Sequence, residues 1–200
     1  MKLLYGTGNQ VKLTIMKKYL APLELEIIGL TDIDCNLPEV DESGNSPLEN
    51  AKIKALSYYN AVKIPTFSCD SGLYIEKAPE ELQPGVHVRN INGKCLDDDE
   101  MIKYYSSLAK RFGGNIKARY KNAICLVMSQ NEIYEYSGDD IHGERFIITE
   151  KPHKNRKKGF PLDSLSVHIQ TKKYYFDLID YNKGWSMEKG FCNFFTRSLF

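Results

Sequence analysis

The boundary at Ser46-Pro47-Leu48-Glu49 constrains this chain more tightly than any other feature. A serine at the N-cap, a proline at the first helical position and a glutamate at the third together specify a helix start. The helix is expected from Pro47 to about Ala61, with Ala51, Ala55 and Tyr58 or Tyr59 facing inward. Pro65 then introduces an apolar run, Thr66 to Cys69, that reads as a buried strand. A turn is expected at Asp70-Ser71-Gly72, followed by a strand from Leu73 to Glu76. Helix followed by strand within thirty residues is the grammar of an α/β fold.

The rest of the chain obeys the same grammar. Lys2 to Tyr5 reads as a short strand and Gly6 to Asn9 as a turn. Val11, Ile15 and Tyr19 then recur at helical spacing until Pro22. Leu25 to Leu30 is a second strand, and Asp32 to Gly44 a polar loop. Asp97 and Glu100 form a capping box ahead of a stripe of Met101, Tyr104 or Tyr105, Leu108 and Phe112, closed by Gly113-Gly114. Ala118 to Ser129 and Ile133 to Ser137 form a hairpin, and Ile141 to Ile148 and Leu165 to Ile169 are further strands. With 200 residues, no repeat and no low-complexity linker, the chain reads as one domain, 1–200, or one two-lobed unit.

Composition excludes several classes of function. Twenty-seven basic against 26 acidic residues leave a net charge of +1, so no long-range field draws the chain to nucleic acid, and no stable nucleic-acid partner is expected. No apolar run approaches the roughly 20 residues of a membrane helix, and the amino terminus lacks the apolar core of a signal peptide. Five cysteines, scattered and without a CxxC, read as reduced thiols in a cytoplasmic setting.

Three clusters carry possible chemistry. Thr7-Gly8-Asn9-Gln10-Val11-Lys12 delivers a hydroxyl and a glycine to a helix start, where backbone N–H groups and the dipole favour an anion. Taken alone it is equally a strand-to-helix turn capped by Asn9. Glu39, Asp41 and Glu42 precede the second helix, Glu49 lies in its first turn, and Asp70 ends a strand; such carboxylates are the donors that a hard cation takes. Glu49 is accounted for by capping alone, and Asp70-Ser71-Gly72 is either a plain turn or a charge aimed into a cleft. The run His153 to Lys158 is a solvated loop or one that faces phosphate, and the four histidines show no metal-ligand spacing.

In order, these pieces resemble the Ham1 family of inosine triphosphate pyrophosphatases. The family's T-G-N-x-x-K stands at Thr7 to Lys12, its L-P-E at Leu37-Pro38-Glu39, and its E-N-A-x-x-K-A at Glu49 to Ala55. Its D-S-G-L is Asp70 to Leu73, followed by Pro84-Gly85-Val86. The resemblance implies an elongated mixed sheet with flanking helices, in two lobes around a central cleft, and a homodimer. It implies hydrolysis of ITP, dITP or XTP between the α- and β-phosphates, giving a monophosphate and pyrophosphate with Mg²⁺. Asp70 is then the general base and a metal ligand, joined by Glu39 or Asp41 and by Glu49. Thr7, Gly8, Asn9, Lys12 and Ser71 hold phosphate, and Phe160, Asp163, Lys183 and Lys189 hold the base.

Departures from the family pattern concentrate in the second half of the chain. Cys69-Asp70 replaces a pair of acids, and G-F-G-Y-D-P becomes Gly159-Phe160-Pro161-Leu162-Asp163-Ser164. The S-H-R trio falls on Met187-Glu188-Lys189. The phosphate and metal machinery is therefore expected to be kept and base recognition rebuilt. The alternatives are the same chemistry on a pyrimidine or modified nucleotide, and a nucleotide-binding module with little turnover.

Overall fold

The computed structural model describes residues 1–179 and 185–200. In chain order the elements are β1 (Lys2–Tyr5), α1 (Gln10–Leu20), β2 (Glu26–Gly29), α2 (Pro47–Val62), β3 (Thr66–Ile75), β4 (Asn90–Ile91) and β5 (Lys94–Cys95). They continue with α3 (Asp98–Arg111), β6 (Asn115–Ser129), β7 (Glu132–Tyr136), β8 (Arg145–Thr149), β9 (Ser166–His168) and α4 (Trp185–Leu199). The main sheet is mixed, in the order β2-β1-β3-β6-β8-β9 with β7 paired to β6. β1 runs parallel to β2 and β3, whereas β6, β7, β8 and β9 pair antiparallel. The fold is thus a mixed α/β fold with a central sheet and flanking helices.

The chain divides into two compact units, each assembled from separated segments. The first holds Met1–Ser71, Lys121–Gly143 and Gly184–Phe200; the second holds Gly72–Tyr120 and Glu144–Lys183.

In the first unit the second half of β6 shows why the sequence there is continuously apolar. Residues 123 to 127 are all fully buried, and alternate side chains serve opposite faces. Ile124 and Leu126 join Leu3, Tyr5, Leu13, Met16 and Phe67, whereas Cys125 and Val127 pack on Ala51 and Ala55 of α2. A strand covered on both faces has no polar side to display. Helix α4, which sequence reading did not anticipate, seals the first face with Phe191, Phe194 and Phe195. Phe195 meets Phe67 edge-on at 5.0 Å, and Phe67 stacks on Tyr5 at 4.6 Å.

The second unit packs α3 on β8 and the 3₁₀ turn Pro161–Leu165. Met101, Ile102, Tyr105, Leu108 and Ala109 supply its inner face, against Leu73, Ile116, Phe146, Ile148 and Leu165. The expected capping box is present: the Asp97 side chain accepts from the Glu100 N–H, and Glu100 from the Asp97 N–H.

Three sequence expectations need correction. Val11 and Ile15 are 59% and 43% exposed; α1 buries Leu13, Met16, Tyr19 and Leu20 instead, a second stripe sharing Tyr19. Asp70-Ser71-Gly72 is not a turn but the middle of β3. β6 lies beside β3 in the sheet, with Ser71 bonded to Asn122 and Leu73 bridged to Gly85, and Gly72 is small there because a Cβ would lie 3.0 Å from the Gly85 backbone. Finally, the strand expected from Ile141 begins only at Arg145, because Asp139–Ile141 forms a 3₁₀ turn against α4. That packing needs Gly190, where a Cβ would meet the Asp140 carbonyl oxygen at 2.3 Å.

Candidate functional site

Parallel pairing of β1 with β3 carries the chain following Tyr5 alongside the chain following Phe67. The Gly6 N–H donates to the Phe67 carbonyl at 2.8 Å, and the Ser68 hydroxyl donates to the Gly6 carbonyl at 2.8 Å. The turn before α1 is thereby fixed beside Cys69 and Asp70. Between them lies a cavity of about 300 Å³, wholly within the first unit, lined by Gly6 to Asn9, Lys12, Glu42, Lys54, Tyr58, Cys69 and Asp70.

One wall of the cavity is the start of α1. The Asn9 side-chain oxygen accepts from the Val11 and Lys12 N–H groups at 2.9 and 3.2 Å, and the Thr7 hydroxyl accepts from the Asn9 N–H at 3.2 Å. Such a cap is worth about 1 kcal/mol, so folding alone accounts for Asn9. It does not account for the remaining features. The first turn of α1 holds no acidic residue, so the positive end of the helix stays unneutralised and Lys12 adds to it. A Cβ at Gly8 would meet no protein atom within 4 Å, so internal packing does not demand a glycine there. Both features suit the close approach of an anion.

The other wall is a charge cluster on α2 and β3. Asn50 and Lys54 lie one turn apart on α2, both buried, and both reach Asp70. The Lys54 ammonium sits 2.9 Å from Asp70 Oδ1 and 2.8 Å from Glu42 Oε2, and the Asn50 amide donates to Asp70 Oδ2 at 3.3 Å. Burial alone would pull the Lys54 ammonium down; the Asp70 and Glu42 carboxylates outweigh it and hold it above its ordinary value of 10.5. Sequence reading placed Lys54 in the E-N-A-x-x-K-A match and Glu42 among the loop acids but gave neither a role of its own in the site. The available signal was a polar pair, Asn50 and Lys54, at i and i+4 on the face of α2 that also carries Ala51 and Ala55.

Of the residues expected to act together, the structure brings Thr7, Gly8, Asn9, Lys12 and Asp70 around one cavity. Glu39 and Asp41 do not join them: neither lines the cavity, whereas Glu42 of the same exposed loop does and reaches Lys54 at 2.8 Å. Glu49 bonds the Asn45 N–H at 2.7 Å, one residue beyond the expected capping-box partner. The Ser71 hydroxyl donates to Asn122 Oδ1 at 2.8 Å and does not line the cavity. Phe160 and Asp163 line a separate pocket of about 230 Å³ in the second unit, with Val88, Arg89, Met101 and Tyr120. Lys189 is exposed on α4, and Lys183 lies outside the described residues.

The oxygen donors fit a divalent cation only in part. Among the described residues no three His, Cys, Asp or Glu side chains are gathered for a metal ion. Glu42 and Asp70 nevertheless converge on one point, now taken by the Lys54 ammonium, and both offer hard oxygens. That suits a cation completed by phosphate oxygens and water rather than by a protein cage.

Cys69 stands beside this cluster as a neutral thiol. Burial pushes it up to about 12, against the lowering influence of the Tyr5 hydrogen bond and of Lys12 and Lys54; burial does the same to Cys125. At pH 8 the Cys69 thiol is held protonated. A thiol reagent at that pH should therefore label the exposed Cys35 and Cys95 and spare Cys69 and Cys125. Mass spectrometry of the labelled peptides checks this, and labelling of Cys69 at the rate of Cys95 would contradict it.

The cavity thus sets a capped helix start with no acidic residue in its first turn against a lysine-bridged pair of carboxylates, in a mixed α/β fold. The chain belongs to the Ham1 family, whose profile matches residues 3–178. It is 30% identical over 165 residues to a dITP/XTP pyrophosphatase of Thermus thermophilus, covering 82% of this chain and 75% of that one. It is 31% identical over 170 residues to a dITP/XTP pyrophosphatase of Mannheimia succiniciproducens, covering 82% and 80%. A Ham1 protein from Coxiella burnetii superposes with a TM-score of 0.77 at 22% identity, over 98% of this chain and 99% of that one.

Proposed function

We propose that this protein is a nucleoside triphosphate pyrophosphatase acting on ITP, dITP or XTP. It releases the nucleoside monophosphate and pyrophosphate. The carrying observation is the Asp70 carboxylate, held by Lys54 and Asn50 inside a cavity whose opposite wall is the unneutralised start of α1. The named activity of the two relatives supports the same reading.

Hydrolysis of a phosphoanhydride needs little covalent assistance; it needs charge neutralisation and a positioned water. Lys12, the Thr7 hydroxyl and the start of α1 would hold phosphate oxygens. Asp70 would take the proton of the attacking water as its oxygen bonds to phosphorus, while the bond to the pyrophosphate oxygen breaks and pyrophosphate leaves. Both Asp70 oxygens already accept a bond, and each keeps a further lone pair for that water. Asp70 and Glu42 would hold Mg²⁺, which when bound supplies charge neutralisation to the polyphosphate. Phe160 and Asp163 would contact the base, with Lys183 and Lys189 contributing. A homodimer in the cytoplasm completes the proposal; it follows from the resemblance and from cysteines read as reduced. Among the described residues no helix is long and apolar enough to cross a membrane.

A second reading, the same chemistry on a pyrimidine or modified nucleotide, is favoured by one observation. Pro161 and Leu162 stand where the family carries a glycine and a tyrosine, so the pocket beside Phe160 is more apolar there. A panel of ITP, XTP, dUTP and the standard triphosphates with Mg²⁺, scored for pyrophosphate, separates the two. Release confined to ITP and XTP is expected, because a site that hydrogen-bonds one donor–acceptor pattern leaves buried groups unpaired with another. Release from pyrimidines alone would replace the first reading with the second, and binding without release would refute both.

A further inference from the structure

The segment between β8 and the 3₁₀ turn at Pro161 has no regular structure of its own and is tied down near its two ends. Its first tie is His153, whose N–H donates to the Ser164 carbonyl at 2.7 Å. The His153 ring packs against Tyr174 and Phe176, with Nε2 3.2 Å from Asp177. Its second tie is Asp98, on the first turn of α3. Asp98 Oδ2 accepts from the Gly159 N–H at 2.8 Å, across 61 residues, and Asp98 Oδ1 accepts from Arg89 Nη2 at 2.8 Å. Arg89 is fixed in turn by donating to the Leu96 carbonyl at 2.9 Å.

Asp98 does more here than answer the helix dipole. Asp99 and Glu100 share the first turn of α3, and the capping box already uses Asp97 and Glu100. Asp98 reaches instead to the residue before Phe160, where Gly159 adopts φ +79°, a conformation that only glycine takes at low cost. The next residues depend on that point. The Phe160 N–H donates to the Lys157 carbonyl at 2.9 Å, and the Asp163 N–H to the Phe160 carbonyl at 3.1 Å. The Lys157 ammonium lies 4.1 Å from the Phe160 ring centroid and 3.8 Å from Asp163. Arg89, Gly159, Phe160 and Asp163 all line the same pocket of the second unit. The Gly159 N–H, and after it Arg89, hold the Asp98 carboxyl below the usual carboxylate range.

We propose that Asp98 is a positioning residue for nucleobase binding: by joining Arg89 to the Gly159 N–H it sets the Phe160 ring at the mouth of this pocket. The proposal rests on the reading of Phe160 and Asp163 as base contacts.

The test compares Asp98→Asn, Asp98→Glu and Asp99→Asn with the wild type, using two readouts. The first is tryptic cleavage after Lys154, Arg156, Lys157 and Lys158 without nucleotide. Asp98→Asn should be cut about five- to tenfold faster, because a charge-assisted bond to Gly159 is lost, whereas Asp99→Asn, which removes the same helix-start charge, should match the wild type. The second is steady-state kinetics on the best substrate of the panel: KM should rise about five- to tenfold with kcat within about twofold, and Asp98→Glu should recover part of the change. Equal effects from Asp99→Asn would reduce Asp98 to a dipole role and overturn the proposal. Faster cleavage with unchanged KM would also overturn it. In that event Phe160→Ala locates the failure: an unchanged KM there shows that the base-site reading is wrong, and a raised one shows that the tie alone is.

Discussion

Asp70→Asn should lower kcat/KM for pyrophosphate release by about 10²–10⁴-fold, the usual contribution of a positioned general base, and leave the chain folded. The substitution keeps the shape of the side chain, so the fit in the middle of β3 survives. An amide oxygen can still accept a bond but cannot take up a proton from water. Lys54 is not orphaned, because Glu42 remains 2.8 Å from its ammonium. Nucleotide binding without Mg²⁺ should therefore change by only a few-fold, whereas binding with Mg²⁺ should weaken further because one carboxylate for the cation is lost. Pyrophosphate release, circular dichroism and titration calorimetry on the one variant separate these effects. Near-full turnover would place the proton acceptor elsewhere.

Lys54→Met should damage both stability and activity. The Lys54 and Asp70 side chains are 11% and 13% exposed, and removing one member of such a pair leaves a poorly hydrated charge facing Glu42. Breaking a buried pair costs about 3–5 kcal/mol. The low end applies here, because Glu42 is 48% exposed and the cavity admits water. About 3 kcal/mol corresponds to a fall in Tm of roughly 6–12 °C for a chain of this size. Millimolar Mg²⁺ should stabilise the variant more than the wild type, since the two carboxylates then have no other cation. An equal effect on both would show that packing rather than charge is lost. The pH dependence has a definite sign. A lysine raised above 10.5 contributes its full stabilisation below that value and loses it as pH climbs through its own higher value. The gap between wild type and variant should stay flat from pH 7 to 9 and narrow only in the alkaline range.

Much of the fold was legible because local chemistry and tertiary packing agree. Ser46 and Pro47 start α2, Asp97 and Glu100 start α3, and Gln130-Asn131 turns the β6–β7 hairpin. Where they disagree, packing wins. Asp70-Ser71-Gly72 has the composition of a turn, yet it runs extended within β3, beside β6 in the sheet. In α1 two apolar stripes compete, and only contact with α4 and β2 selects the one through Leu13 and Met16. Helix α4 carries its aromatic face within a run also read as base-contacting, and the helical spacing of Phe191, Phe194 and Phe195 went unread. The candidate site was half legible. The turn from Thr7 to Lys12 and the acid at Asp70 stand out as residues, but the choice of Glu42 over Glu39 and Asp41 depends on how a loop folds back over Lys54.

Because Asn9 already satisfies the Val11 and Lys12 amides, the turn before α1 is fixed by hydrogen bonds of the chain itself. The entropy of ordering it is settled when the polypeptide folds, not when a polyphosphate arrives. On the proposed reading, polyphosphate would meet a wall whose ordering cost has already been met.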